Sequence, residues 1–196
     1  FVPHIAGDIG PNSIYQFNFD DSTGKLTPNS PARVTPENEA GPRHYCYHPT
    51  LDMAYFSNEQ GSSVTAYDLD PSAGILTAKQ TISTLPSGFT GENTCAQIQI
   101  APSGEFLYAP NRGHNSIACY SVDASTGHLT NIGNVLTEPV PRALSLDPQG
   151  AFLYVAGLDS GRLATYTVDS DSGTLHPLEI QAIGAAPMWV LLFAAT

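Results

Sequence analysis

The stretch Tyr67-Asp68-Leu69-Asp70-Pro71-Ser72-Ala73-Gly74-Ile75-Leu76 decides the fold, because its register recurs: an aromatic, Asp three residues on, Gly seven on and Leu nine on. The same spacing is found in Phe17/Asp20/Gly24/Leu26, Tyr120/Asp123/Gly127/Leu129 and Tyr166/Asp169/Gly173/Leu175. A second register, Pro with Tyr six residues later, appears as Pro49/Tyr55, Pro102/Tyr108 and Pro148/Tyr154. From the second unit onward both registers step by 53 and then by 46 residues, so two independent patterns describe one repeat.

Each unit reads as short strands parted by turn signals. In one of them residues 96–101 and 105–110 flank Pro102-Ser103-Gly104, and residues 116–122 lead into Ala124-Ser125-Thr126-Gly127. No segment holds a helical period. In the recurring turn, Asp, Ser and Thr side chains can bond the nearby backbone while Gly supplies a positive φ, so the turn is structural. Asp169-x-Asp171-x-Gly173 has the beginning of a calcium loop but lacks its third acidic ligand and downstream Glu, and no metal site is expected there.

Four strands per unit at a period near 50 predict an all-β protein, a β-propeller of four-stranded antiparallel blades. With strands labelled a (inner) to d (outer), the repeats fall at 1–40, 41–91, 92–139 and 140–186, followed by a final inner strand over 187–196. The first unit supplies b, c and d and the tail a lone a, so start and end complete one shared blade. Three arrangements satisfy this frame: a closed four-bladed ring, a piece of a larger propeller, or two chains sharing a ring.

Composition narrows the partners. Seven basic residues face eighteen acidic ones among 196, a formal charge of -11, which lacks the electrostatic footprint of a nucleic-acid binder. The most apolar run, Met188 to Ala195, falls far short of the ~20 residues of a membrane span. Cys46, Cys95 and Cys119 are an odd count with no close pair, which suits small core residues and, in the absence of a disulfide framework, a cytoplasmic setting. Neither a P-loop, a G-x-G-x-x-G, a G-x-S-x-G nor an H-E-x-x-H is present, and no cofactor or metal is expected.

In an antiparallel blade the start of strand a and the end of strand b lie at one end of the sheet, near the channel mouth. Gly41-Pro42-Arg43-His44 and Pro141-Arg142 open strands a; Ser57-Asn58-Glu59-Gln60 and Asn111-Arg112-Gly113-His114 close strands b; His4 ends the first strand b on the same rim. Three of the five arginines, Arg43, Arg112 and Arg142, thus converge with Glu59 on one face of an acidic protein. Guanidinium forks hold carboxylate or phosphate and stabilise a developing oxyanion, and a carboxylate beside them can take a proton. These four are the catalytic candidates. His4, His44, Asn58, Asn111, His114 and Trp189 are the substrate-binding candidates, while His48 belongs to the opposite turn. The same Arg and Glu residues at blade junctions also suit a purely structural tie.

These mouth motifs, together with the Thr/Ser-Gly-x-Leu turns, resemble the seven-bladed propeller lactonase family, which includes the cycloisomerase-type 6-phosphogluconolactonases and the fungal carboxy-cis,cis-muconate cyclases. The similarity runs over essentially the whole chain. It implies metal-free chemistry on a small anionic or sugar lactone: hydrolysis of the ring or, alternatively, its reversible closure from a muconate. A binding propeller without turnover is the distant alternative. In that family a His, Arg, Glu and Arg set lines the mouth; Arg43 and Glu59 match it, with Arg112 or Arg142 as the second arginine. The family's histidine would precede Phe1, and His4 is not its equivalent. Seven blades at this period need ~350 residues, so the chain resembles the C-terminal four. Missing blades or a second copy are then expected over the exposed blade faces.

Overall fold

The computed structural model describes residues 1–194. Their strands form four antiparallel sheets in chain order. The first has three strands, β1 (Val2–His4), β2 (Ser13–Asp20) and β3 (Lys25–Val34). The second comprises β4 (Pro42–Tyr47), β5 (Met53–Asn58), β6 (Ser63–Asp70) and β7 (Ile75–Ser83), and the third β8 (Gln99–Ile100), β9 (Phe106–Asn111), β10 (Ser116–Val122) and β11 (Leu129–Leu136). The fourth comprises β12 (Pro141–Leu146), β13 (Phe152–Gly157), β14 (Arg162–Val168) and β15 (Leu175–Ala182). This is the all-β blade architecture of a partial propeller. No helix of the described residues is long and apolar enough to cross a membrane.

Packing between successive sheets explains both registers. Successive strand residues point to opposite faces, so β5 sends Ala54 and Phe56 toward the first sheet and Met53 and Tyr55 toward the third, and all its residues are buried. Each seam has its own apolar cluster, such as Tyr108, Ile117, Leu144, Leu153 and Tyr166 between the third and fourth sheets. The Pro-x5-Tyr tyrosines also clasp the seams: Tyr55 Oη donates to Gly127 O and Tyr108 Oη to Gly173 O, each at 2.9 Å. One register therefore holds the turn of the other, one sheet further on.

The turn itself is built as its composition dictates. Asp70 Oδ1 accepts from Ser72 N, Ser72 Oγ and Ala73 N at 2.7–3.0 Å, and Gly74 adopts φ +66° to close it. In the sister turn the Ser22 and Thr23 bonds hold the Asp20 carboxyl down to about 2. Asp169 makes the same bonds to Asp171 and Ser172, so the acid pair there serves the turn.

Two strands differ from expectation. The strand expected over 96–101 contracts to Gln99–Ile100, because the residues before it are bonded to the second sheet: Cys95 N donates to Glu59 O at 3.0 Å and Ala96 O accepts Ser57 Oγ at 2.7 Å. The inner strand expected over 187–196 does not form in 187–194, and 195–196 lie outside the described residues. A strand exists only by pairing, and this segment pairs with no sheet; it lies along the inner strands instead, with Leu192 N on Ser145 Oγ at 3.3 Å.

Candidate active site

The mouth-side ends of the second, third and fourth sheets bring Arg43, Glu59, Arg112 and Arg142 together. Pro42 pairs with Asn58 and His44 with Ser57, leaving Arg43 as the extra residue of a bulge. Pro141 pairs with Gly157 and Ala143 with Ala156, leaving Arg142 in the same position. A bulge re-aims a side chain that the pleat would otherwise bury in a seam, and the two Pro-Arg pairs mark both sites. Glu59 follows the end of β5, its N–H held by Gly41 O at 2.6 Å. Gly41 sits at φ +71°, and a Cβ there would run into the Gln60 side chain. Arg112 follows β9, its N–H on Thr94 O at 2.9 Å.

Glu59 is the hub. Its Oε2 meets Arg43 Nε at 2.7 Å and its Oε1 meets Arg112 Nη2 at 2.5 Å, with all three side chains 13–16% exposed. Arg112 Nη2 also donates to Cys95 O at 2.9 Å, while its buried Nε has no partner. Burial pulls the Arg43 guanidinium below its ordinary value, opposed by Glu59 and reinforced by the charges of Arg112 and Arg142. Arg142 makes no ion pair among the described residues, but stands close enough for its charge to act on Arg43 and His44. The cluster thus carries three guanidiniums against one carboxylate.

His44 lies against it, Nδ1 at 3.4 Å from Arg43 Nη1 and the ring edge-on to Trp189 with centroids 6.2 Å apart. Burial first and Arg43 second push its imidazole down to about 4, so it is neutral at physiological pH. Trp189, His44, Arg43, Gln97 and Gln99 border an open cavity of about 610 Å³ on the channel side; Arg112, Gly113, Asn93 and Glu92 border a second of about 610 Å³ on the rim. The Glu59 hub stands between the two.

The other candidates lie elsewhere. His4 packs edge-on against Tyr15, 5.0 Å between centroids, on the first sheet. Asn58 and Asn111 are fully buried, Asn58 Nδ2 bonded within its own sheet to Ser63 Oγ at 2.9 Å and Asn111 Oδ1 bonded across the seam to Thr84 Oγ1 at 2.7 Å. Both are corrected to structural residues, because their side chains point into the stack of sheets and not to the mouth. His114 is fixed by Ser116 Oγ at 2.8 Å and covered by the Phe89 ring at 4.8 Å. His48 accepts Thr50 N and Leu51 N in the opposite turn.

The part the sequence reading missed is the connector between β7 and β8. Its Asn93 Oδ1 accepts Gly113 N at 2.9 Å and His114 N at 3.1 Å, and its Phe89 covers His114, so it forms one wall of the rim cavity. The one available signal was the wider 53-residue step of the repeat. Among the described residues no group of three or more His, Cys, Asp or Glu side chains is gathered as a metal site requires.

Comparison with known proteins adds the following. A family model described as Lactonase, 7-bladed beta-propeller, matches residues 4–192. A 6-phosphogluconolactonase of Pectobacterium carotovorum is 38% identical over 173 residues, 88% of this chain and 52% of that protein. A crystal structure of a protein from Lactobacillus plantarum superposes with a TM-score of 0.86 at 30% identity, covering 95% of this chain and 56% of its own. The periplasmic gluconolactonase of Pseudomonas aeruginosa gives 0.83 at 25% identity, covering 90% and 51%. The chain spans about half the length of the curated relatives it matches.

Proposed function

The chain belongs to the seven-bladed β-propeller lactonase family, and from that premise we propose that the whole protein hydrolyses a sugar lactone such as 6-phosphogluconolactone at the channel mouth. The observation that carries this reading is the cluster of two guanidiniums on one carboxylate with a third, unpaired guanidinium beside them, on a chain of formal charge -11. Such a cluster focuses an anionic substrate against the general repulsion and meets the negative charge that develops on a carbonyl oxygen under attack. The relatives named 6-phosphogluconolactonase supply the substrate class.

In this mechanism one guanidinium holds the substrate's anionic group and another the carbonyl oxygen. Each oxygen of Glu59 gives one lone pair to an arginine and keeps another. Glu59 takes a proton from water as the water oxygen bonds to the carbonyl carbon. Collapse of the tetrahedral oxyanion breaks the ring C–O bond, and the proton passes to the leaving oxygen. Neutral His44 and Trp189 line the cavity without adding charge.

The open ends of the sheet stack bear on the assembly. Phe19 and Leu26 on the first sheet and Leu178 and Ile180 on the last are exposed, and Tyr154 occupies the position from which Tyr55 and Tyr108 clasp a following sheet. These features support further blades, or a second copy, beside this chain. A cytoplasmic setting fits the three free thiols, of which Cys95 and Cys119 are buried and Cys46 half-buried.

The test is hydrolysis of 6-phosphogluconolactone by the full-length protein and its Glu59→Gln variant. We expect turnover in the first and a loss of roughly 10²–10⁴-fold in the second, the usual worth of a positioned base. No turnover by the parent, or an unaffected variant, overturns the assignment.

A further inference from the structure

The repeat allows each seam to be compared with its sisters. Tyr67, Tyr120 and Tyr166 occupy the same register, each at a bulge between the third and fourth strands of its sheet. Tyr120 Oη donates to Ser83 O at 2.7 Å and Tyr166 Oη to Leu136 O at 3.3 Å, in both cases the last residue of the preceding sheet's outer strand. Tyr67 is fully buried and its hydroxyl has no partner. Thr65 is close enough to be felt by the phenol but makes no hydrogen bond to it, and its own hydroxyl meets Asn58 Nδ2 at 2.8 Å and Thr81 Oγ1 at 3.0 Å.

The asparagines repeat this contrast. Asn111 Oδ1 accepts Thr84 Oγ1 at 2.7 Å and Asn93 Nδ2 at 2.9 Å, and its Nδ2 donates to Thr84 O at 2.7 Å. Asn58 stands 53 residues earlier, the repeat step, and its buried Oδ1 is unpartnered. The residue in the place of Thr84 is Thr35, which reaches only Ser13 Oγ at 3.4 Å. The cause lies in the connector. Asn12 holds it at both ends, through Pro36 O at 3.0 Å and Gly41 N at 2.8 Å, and Asn38 and Glu39 turn it outward at φ +55° and +49°.

What this leaves is a cavity of about 480 Å³ between the first and second sheets, within the size range of ligand pockets. Six hydroxyl-bearing residues line it, Thr35, Ser63, Thr65, Tyr67, Thr81 and Ser83. Lys79, also at its edge, is neutralised by Asp68 at 2.7 Å. The Tyr67 ring is fixed edge-on to Phe56, 5.3 Å between centroids, so its hydroxyl cannot swing to another partner. Glu37 adds one carboxylate to the lining, outside every ion pair among the described residues, so the wall repels anions, and fixed hydroxyls beside a carboxylate recognise other hydroxyls. We propose that this seam is a second binding site, separate from the arginine cluster, for a small neutral polyhydroxylated molecule of the sugar or polyol class, whose oxygen accepts the Tyr67 hydroxyl proton.

The experiment is isothermal titration of the full-length protein with D-glucose and with myo-inositol, in the parent, Tyr67→Phe, Ser83→Phe and Glu59→Gln forms. Tyr67→Phe deletes only the orphan hydroxyl, and Ser83→Phe fills the cavity from an exposed position without touching the core. We expect saturable binding of at least one probe, weakened about tenfold or more by Tyr67→Phe, abolished by Ser83→Phe and unchanged by Glu59→Gln. Absence of saturable binding of both probes overturns the proposal, as does equal affinity in the Tyr67→Phe form. Loss of binding in the Glu59→Gln form also overturns it, by placing the sugar at the mouth.

Discussion

Replacing single tyrosines by phenylalanine measures the difference between the seams directly. In Tyr120→Phe the Ser83 carbonyl loses a 2.7 Å bond from a buried donor, which costs about 1–1.5 kcal/mol. Tyr55→Phe and Tyr108→Phe lose buried bonds of 2.9 Å to Gly127 and Gly173 and cost a similar amount. In Tyr67→Phe no bond is lost, and a buried unpaired hydroxyl, which costs about 1–3 kcal/mol to bury, is removed. The ring stays where Phe56 holds it, so no cavity opens. Tyr67→Phe therefore ranges from neutral to about 1 kcal/mol more stable, and lies about 1–2.5 kcal/mol above Tyr120→Phe. Denaturant midpoints at constant slope separate these values readily. If Tyr67→Phe is destabilised as much as Tyr120→Phe, its hydroxyl has a partner and the contrast between seams is wrong.

Other outcomes follow from single features. His44, held down to about 4, binds its proton less readily folded than unfolded, where it titrates near 6.5. Its contribution to stability is complete above pH 6.5 and declines as the pH falls toward 4; a midpoint-versus-pH series should show this decline, and His44→Gln should flatten it. Gly74→Ala places a Cβ at φ +66° and should cost about 1–2 kcal/mol by the same denaturant assay.

The fold was legible because propeller packing imposes local chemistry. The Asp-x3-Gly turn and the Pro-x5-Tyr clasp are short-range patterns with a physical task in every unit, and they repeat because the task repeats. Convergence of Arg43, Glu59, Arg112 and Arg142 followed from antiparallel geometry, since strand starts and ends alternate between two rims. What was not legible depends on side-chain direction across seams. Asn58 and Asn111 sit on the right rim, but Asn58 bonds within its own sheet and Asn111 across the seam to Thr84, and His4 turns to Tyr15. The Pro-Arg pairs mark where the bulges that free Arg43 and Arg142 fall, but the pairings that make them bulges, like those of the connector carrying Phe89 and Asn93, join distant residues and are not encoded locally. The tail over 187–194 failed as a strand for a related reason: an apolar run predicts burial, whereas a strand also needs an edge to pair with.

The three arginines are not equivalent, and the difference separates a structural tie from a binding site. Arg43 and Arg112 are both spent on Glu59, one within the second sheet and one reaching across from the third, so this trio joins two blades whatever else it does. Arg142 is placed on an identical bulge in the fourth sheet but has no carboxylate to hold among the described residues. A guanidinium re-aimed from its strand and left uncompensated contributes little to stability, while the neighbouring guanidiniums repel it. Its position is explained if an anion arrives to meet it. Arg142→Gln should accordingly leave the denaturant midpoint unchanged or slightly raised. It should also raise KM for an anionic lactone by roughly ten- to a hundredfold, the value of one charge-assisted hydrogen bond of about 1.5–3 kcal/mol. Arg112→Gln should differ by lowering stability as well, because it leaves Glu59 with a single partner and the Cys95 carbonyl unbonded. An unchanged KM in Arg142→Gln would show that the anion is held by the tied pair, and the free guanidinium would then have no role in binding.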